Sequence, residues 1–586
     1  MQLSVKDIVF SAKSEYVTLS EIESDENKIS VKIEVDFAEE REAEPVTVRW
    51  ECASDGVFSQ WNSMLWSEKA LNPNWSPTVC FSSVSRIMPI QSHIDNEGLN
   101  RITVYVTDNI TPITITSGII EETTRLQYKL ILFSKKTGKM KKYETELVID
   151  RRKIPLYALI PEISQTLCKK IGVNNSASLS CLREPVYSTW YSYHQSLESK
   201  KILNELTLAK EYGMKTVIID DGWQTRDTGR GYGCCGDWQP EGLPDLRELS
   251  DTVHKMGMKI MLWFSVPYVS EKSKCYKRFK GKFLASCGNN VRWYVLDPRY
   301  KEVRKYLVSV YENAVKAYKL DGLKLDFIDS FEFTEESVLF DEEMDFSSVE
   351  VAVKELLGEI FTSLRKLKPD IMIEFRQNYI GAVMMNYGNM LRVADCPCDP
   401  LKNRAGSIAL RLTAGKIPVH SDMIAWSVTD TAESAALEII NVIFAVPQIS
   451  VLIERLPEEH KKMLKFYMDF WLENRDCLMG GSFAAYNSEC GFSLALSRLD
   501  DTLIAAAYTK NVLSLDECFK MVYFINGSWD KELIVVNHGA EYSAKVTVFD
   551  CMGNIQTDKV QNIGGCQMFA VSKSGMVLIK RINPEF

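Results

Sequence analysis

No stretch of this sequence approaches the ~20 consecutive apolar residues that a membrane-spanning helix requires, so no span is expected. Basic residues are not in excess either: 69 Lys and Arg stand against 78 Asp and Glu, a formal net charge of −9. That balance argues against nucleic acid or an anionic membrane as partner, since both favour a basic face. The opening MQLSVKDIVFSAKSEY has no basic segment followed by an apolar run. A secretory signal is therefore not expected, and the 15 cysteines are read as reduced thiols in a cytoplasm. Paired Cys-x-x-Cys motifs are missing, histidines number 6, and Cys396 and Cys398 form one close pair by themselves, so no metal is expected. No Gly-x-Gly-x-x-Gly follows the first central strand, which disfavours a dinucleotide-binding sheet.

What is present is an ordinary globular composition, 46% hydrophobic and 25% charged, over 586 residues, a length that suits about three domains. Residues 1–170 hold runs of alternating apolar and polar residues, among them Lys28–Val35, Val46–Trp50, Asn100–Val106, Arg125–Phe133 and Tyr143–Ile149. Such alternation places one face of each strand in a core, and many strands with few helix signals predict an N-terminal β-sandwich. Across residues 171–490 short apolar strands alternate with amphipathic helices: Lys200–Tyr212 precedes Thr216–Ile219, Asp245–Met256 precedes Lys259–Phe264, Lys301–Tyr318 precedes Gly322–Phe327, and Val349–Leu367 precedes Ile371–Phe375. Serial βαβ units of this length predict a central (β/α)8 barrel of TIM type. Strand-like runs return over residues 491–586, predicting a small C-terminal β-sandwich.

In a parallel barrel the chemistry lies at the C-terminal strand ends. Those ends carry Asp220-Asp221-Gly222-Trp223, then Lys324 and Asp326, then Glu374 leading into Arg376-Gln377-Asn378-Tyr379, then Arg392, Asp395 and Asp399. Carboxylates and amides suit sugar hydroxyls, and an aromatic face suits the apolar face of a pyranose. Taken singly, each has a plainer reading. Asp220-Asp221-Gly222 suits a capped turn, Trp223 and Trp238 suit packing, Lys324 with Asp326 suits a buried ion pair, and Arg392 with Asp395 a salt bridge.

Together, IIDDGWQ at Ile218–Gln224, GDW at Gly236–Trp238, KLDF at Lys324–Phe327 and RVADCPCD at Arg392–Asp399 resemble glycoside hydrolase family 36, the α-galactosidases or melibiases. The resemblance spans roughly residues 185–490. It implies a retaining double displacement without a cofactor, with Asp326 as nucleophile and Asp395 as acid/base, Asp399 being the second candidate. It implies sugar binding by Asp220, Asp221, Trp223, Trp238 and Lys324; Arg376 and Asn378, where the chain departs from the family pattern, are expected to contact the sugar in a different way, with Arg392 beside them. It also implies an α-galactoside oligosaccharide as substrate and, in many members, a homo-oligomer. Where many members carry a Cys- and Gly-rich segment after the fifth strand, this chain has Glu374–Tyr379. An α-N-acetylgalactosaminidase, a galactosyl-transferring enzyme and a silent carbohydrate-binding protein are the competing readings. On charge grounds Lys324 is expected to keep Asp326 ionised, Asp395 to hold its proton, and Arg392 to point away from Asp395, toward the sugar or Asp399.

Overall fold

The computed structural model describes residues 1–64, 69–173, 180–289, 291–516 and 519–582. Before the barrel, two six-stranded antiparallel sheets face each other across an apolar core. The alternation seen in the sequence does this work. In Arg125–Leu132 the residues Leu126, Tyr128, Leu130 and Leu132 are buried, while their neighbours Arg125, Gln127, Lys129 and Ile131 are only partly so.

The closed barrel consists of eight parallel strands: β1 (Val186–Ser188), β2 (Thr216–Ile219), β3 (Lys259–Ser265), β4 (Gly322–Asp326), β5 (Met372–Arg376), β6 (Met390–Arg392), β7 (Val419–Ile424) and β8 (Val446–Ile449). Side chains two residues apart on a strand share a face, so the inward set can be followed up each strand. At the foot, Val186, Ile218, Met261, Met372 and Met390 form an apolar plug with Leu182. Two residues further along come Ser188, Asp220, Trp263, Glu374 and Arg392, and β4 contributes Lys324 and Asp326 on the parity of Gly322. The barrel interior is thus oily below and ionic above. Gly322 belongs to the crowded lower layer, where a Cβ would lie 2.5 Å from the Met372 carbonyl oxygen and 2.9 Å from Met261.

Among the described residues, α-helices follow every barrel strand except β5, which reaches β6 through a short 3-10 turn at Met384–Asn386. The helix Leu156–Lys170, which precedes the barrel in sequence, occupies this side. Ser164 donates to the Thr413 carbonyl at the end of the helix after β6, and the Cys168 sulfur lies 3.8 Å from that of Met385. Beyond the long helix Glu458–Gly480, a mixed eight-stranded sheet runs from Ser482 to Arg581 around a second apolar core, so its first strand lies ahead of the boundary expected at 491. Every described cysteine is a free thiol. No described helix is long and apolar enough to cross a membrane.

Candidate active site

Asp326 closes β4 with both oxygens engaged. Oδ1 accepts from Arg376 Nε at 2.6 Å, from the backbone N–H of Phe327 at 2.9 Å and from the Tyr379 hydroxyl at 3.2 Å. Among the described residues Oδ2 accepts only from the Trp263 indole N–H, at 3.0 Å, and is the less encumbered oxygen. Burial works to raise the carboxyl's pKa, but the charges of Arg376, Lys324 and Arg392 outweigh it and hold Asp326 well below the usual carboxylate range. Lys324 adds its charge from a distance: its ammonium is bonded to Asp220, at 2.6 Å, not to Asp326. The direct partner of Asp326 is Arg376 on β5, which corrects the expectation of a Lys324–Asp326 pair.

The chain turns sharply after β2. Gly222 takes φ +120°, and a Cβ there would lie 2.6 Å from the Gln195 backbone, so this turn demands glycine. The turn aims Asp221 at two amide groups, Gln224 Nε2 at 2.6 Å and Gln195 Nε2 at 2.8 Å. Burial nonetheless pushes its carboxyl up to about 6. Trp223, from the same motif, points away. It is fully buried, donates to the Trp263 carbonyl at 2.8 Å and stacks on Trp238 at 5.9 Å. Trp238 also packs edge-on to Trp263 at 6.2 Å. The two tryptophans expected against the sugar therefore buttress β3, and it is Trp263 that reaches the carboxylate.

Arg392 ends β6 and is completely buried. Its guanidinium serves three carboxylates: Nη1 bonds Asp422 on β7, Nη2 bonds Asp395 at 3.0 Å, and Nε faces Glu374 at 3.2 Å. The expectation that Arg392 points away from Asp395 is therefore overturned. A short loop carries Asp395 only three residues past Arg392, within reach of the buried fork. Asp395 lies at the rim with 56% of its side chain exposed, ringed by charges. Burial and the negative charge of Asp326 work to raise its pKa, yet Arg392 prevails and lowers it, the reverse of the expected raised acid.

Asp399 is not in the cluster. It caps the helix Pro400–Thr413, accepting from the Lys402 N–H at 2.9 Å, with Pro400 at the first helical position. Asn378 sits at the edge of the mouth, donating to Asp329 at 3.3 Å. Arg86, from the N-terminal sheets, reaches the same Asp329 at 3.5 Å, so those sheets border the mouth. Cys396 is buried and Cys398 exposed, and no ligand cluster forms around them among the described residues.

The sequence reading did not pick out Trp263, Tyr191, Asp422 or Gln448, and it named Tyr379 at a strand end without giving it a role. Gln448 donates to Glu374 at 2.5 Å, and the Tyr191 hydroxyl donates to Asp422 at 2.9 Å. Inward parity was the available signal: Trp263 follows Met261 by two, and Asp422 follows His420 by two.

Comparison with known proteins agrees with this fold. The Melibiase family model matches residues 169–400. The curated "Alpha-galactosidase 2" of Pediococcus pentosaceus is 27% identical over 148 residues, 24% of this chain and 20% of that protein, so the aligned stretch spans about a fifth of the relative's length. The α-galactosidase structure from Lactobacillus brevis superposes with a TM-score of 0.63 at 13% identity, over 100% of this chain and 83% of that one. A family 36 α-galactosidase from Geobacillus stearothermophilus, solved with 1-deoxygalactonojirimycin, gives a TM-score of 0.63 at 14% identity over 98% of this chain and 81% of that one. At such identities the superpositions establish the fold.

Proposed function

We propose that this chain, matched by the Melibiase family model over residues 169–400, is a member of glycoside hydrolase family 36 and hydrolyses terminal α-galactosyl residues with retention of configuration. The observation that carries the reading is Asp326: a buried carboxylate held ionised at a strand end, one oxygen tied down and the other nearly free. A nucleophile must stay charged while desolvated, and the Arg376–Asp326 contact at 2.6 Å supports that.

In this reading Asp326 Oδ2 attacks the anomeric carbon while Asp395 protonates the departing glycosidic oxygen. The galactosyl-enzyme ester then yields to water deprotonated by Asp395. Esterification removes the charge of Asp326, which lowers the proton affinity of Asp395 as its task changes from acid to base. Asp220, Asp221 and Lys324 supply charged partners for the sugar hydroxyls, each charge-assisted bond being worth about 1.5–3 kcal/mol. The substrate class would be galactosylated oligosaccharides.

The test follows the first-formed sugar by proton NMR during turnover of an aryl α-galactoside. Initial α-galactose is expected, and initial β-galactose would defeat the retaining mechanism. Parallel assays with aryl α-N-acetylgalactosaminide and α-glucoside read the pocket beside Arg376, where preference for either over the galactoside would overturn the substrate assignment.

A further inference from the structure

A retaining acid must hold a proton in the free enzyme, yet Asp395 is bonded to a buried guanidinium that favours its ionised form. The same guanidinium is also claimed from its other side. Asp422 lies on β7, 0% exposed, with both carboxylate oxygens engaged. Oδ1 accepts from Arg392 Nη1, and Oδ2 accepts from the Tyr191 hydroxyl at 2.9 Å and the Cys396 N–H at 2.7 Å. Its backbone is pinned by Asn403, whose Oδ1 accepts from the Asp422 N–H at 3.0 Å and whose amide nitrogen donates to the Asp422 carbonyl at 3.3 Å. Asp395 touches Arg392 through one oxygen and is half open to solvent. Of the two carboxylates, one is fixed and sealed and the other is free to move and to exchange protons.

We propose that Asp422 is a positioning residue for the proton of Asp395: by engaging one side of the Arg392 fork, it keeps that cation from claiming Asp395 outright and lets Asp395 carry the proton that glycosylation consumes. This rests on Asp395 being the acid/base of the proposed hydrolysis. Asp422 cannot touch the sugar, because it has no exposed surface, and so acts through Arg392.

Asp395 faces Arg392 on β6, Lys324 and Asp326 on β4, and Arg376 on β5. Asp422 faces Arg392, Asp395, Tyr191 after β1 and the Cys396 thiol. Removing the Asp422 charge has one sign at Asp395: a neighbouring negative charge is lost and a larger share of Arg392 is gained, so its proton affinity falls. When both carboxylates are present, burial and the charge of Asp395 raise the pKa of Asp422, the mark of two acids competing for one cation.

The proton balance is simple. One proton leaves Asp395 for the glycosidic oxygen as the Asp326–C1 bond forms and the C1–O bond breaks. The attacking water returns one proton to Asp395 in the second step.

The experiment is the pH profile of kcat/KM for Asp422→Asn, measured on methyl α-galactoside and on p-nitrophenyl α-galactoside. On the methyl substrate, whose leaving group needs the proton, the alkaline limb should move down by about one pH unit, a tenfold loss above it. On the nitrophenyl substrate, which leaves without help, kcat/KM should stay within about threefold. An unmoved limb on the methyl substrate, or equal losses on both, overturns the proposal. Tyr191→Phe, which removes one donor from Asp422 and makes its charge harder to hold, should shift the limb in the same direction by less. It also carries the test if D422N does not fold. The pKa of Asp395, read by carboxyl 13C NMR, should fall with the limb in either variant. That measurement needs no turnover, so a wild-type protein inert to α-galactosides would defeat the functional reading alone.

Discussion

At the foot of the barrel one carboxylate is shared by two lysines and a histidine, and at the mouth one cation is shared by three carboxylates. Asp321, just before β4, accepts from the Ile260 N–H at 2.9 Å and lies 2.8 Å from His254, 3.2 Å from Lys368 and 3.8 Å from Lys259. Burial opposes its charge, but the backbone N–H, His254 and Lys368 win, and its pKa is lowered. At the mouth Arg392 is divided among Glu374, Asp395 and Asp422. Burial raises the pKa of Glu374 and of Asp422, and pushes Asp221 up to about 6. The foot is built so that its charge stabilises the fold. The mouth carries negative charge that folding leaves under-compensated, and sugar hydroxyls are suited to relieve it.

Asp321 at the foot and Asp221 at the mouth therefore respond oppositely to pH. Asp321 has a depressed folded pKa, so its contribution is full above the ordinary aspartate value and is lost as pH falls through the folded one. Asp221 has a raised folded pKa, so a cost appears as pH climbs from about 4 toward 6.

Substitutions sharpen the contrast. The largest effect is expected from Asp326→Ala, which should cost roughly 10⁴-fold or more in kcat on every substrate and, because Arg376 loses its buried partner, should also lower the thermal midpoint. Azide with this variant should give at most β-galactosyl azide, by direct displacement. Asp395→Ala comes next: a loss of roughly 10²–10⁴-fold with poor leaving groups, little loss in the first step with nitrophenyl galactoside, and accumulation of galactosyl-enzyme detectable by intact mass. Azide should then release α-galactosyl azide. Rescue of Asp399→Ala in place of Asp395→Ala would return the acid role to the helix cap.

Asp221→Asn should lower kcat/KM by roughly 10–100-fold through lost charge-assisted bonds, and near-normal kinetics would reduce Asp220-Asp221 to a turn. Asp321→Asn should leave turnover within about twofold while lowering unfolding stability by about 2 kcal/mol at neutral pH, read by urea denaturation. That deficit should shrink below pH 4, as the unfolded chain's carboxylate takes up a proton, and vanish once pH falls through the depressed folded value. A deficit independent of pH would mean that packing, not charge, holds the foot.

Much of this architecture was legible. Hydrophobic patterns located the strands that carry or lead into Asp220, Lys324 and Asp326, because those patterns arise from local burial, whereas Arg392 was reached through the RVADCPCD motif. Partner choice was less so. Lys324 pairs with Asp220, 104 residues away, and no spacing rule reveals which carboxylate closes on a lysine across a barrel. Trp263 and Asp422 were hidden in runs, KIMLWFS and VHSDMI, that read as uniformly buried strands until the inward parity is known. Asp399 was readable from local chemistry: an aspartate followed by proline at a helix start is a cap signature, and its prominence in the motif obscured that.

The helix that covers the β5–β6 side of the barrel has a consequence for how the chain is born. Ser164 bonds to a carbonyl 249 residues further on. At roughly 5–20 residues per second, the ribosome makes the cover some 10–50 s before the wall it covers. Leu159, Ile160, Ile163 and Leu167 wait through that interval without their final neighbours, so the nascent chain carries a greasy stripe that only late synthesis can hide.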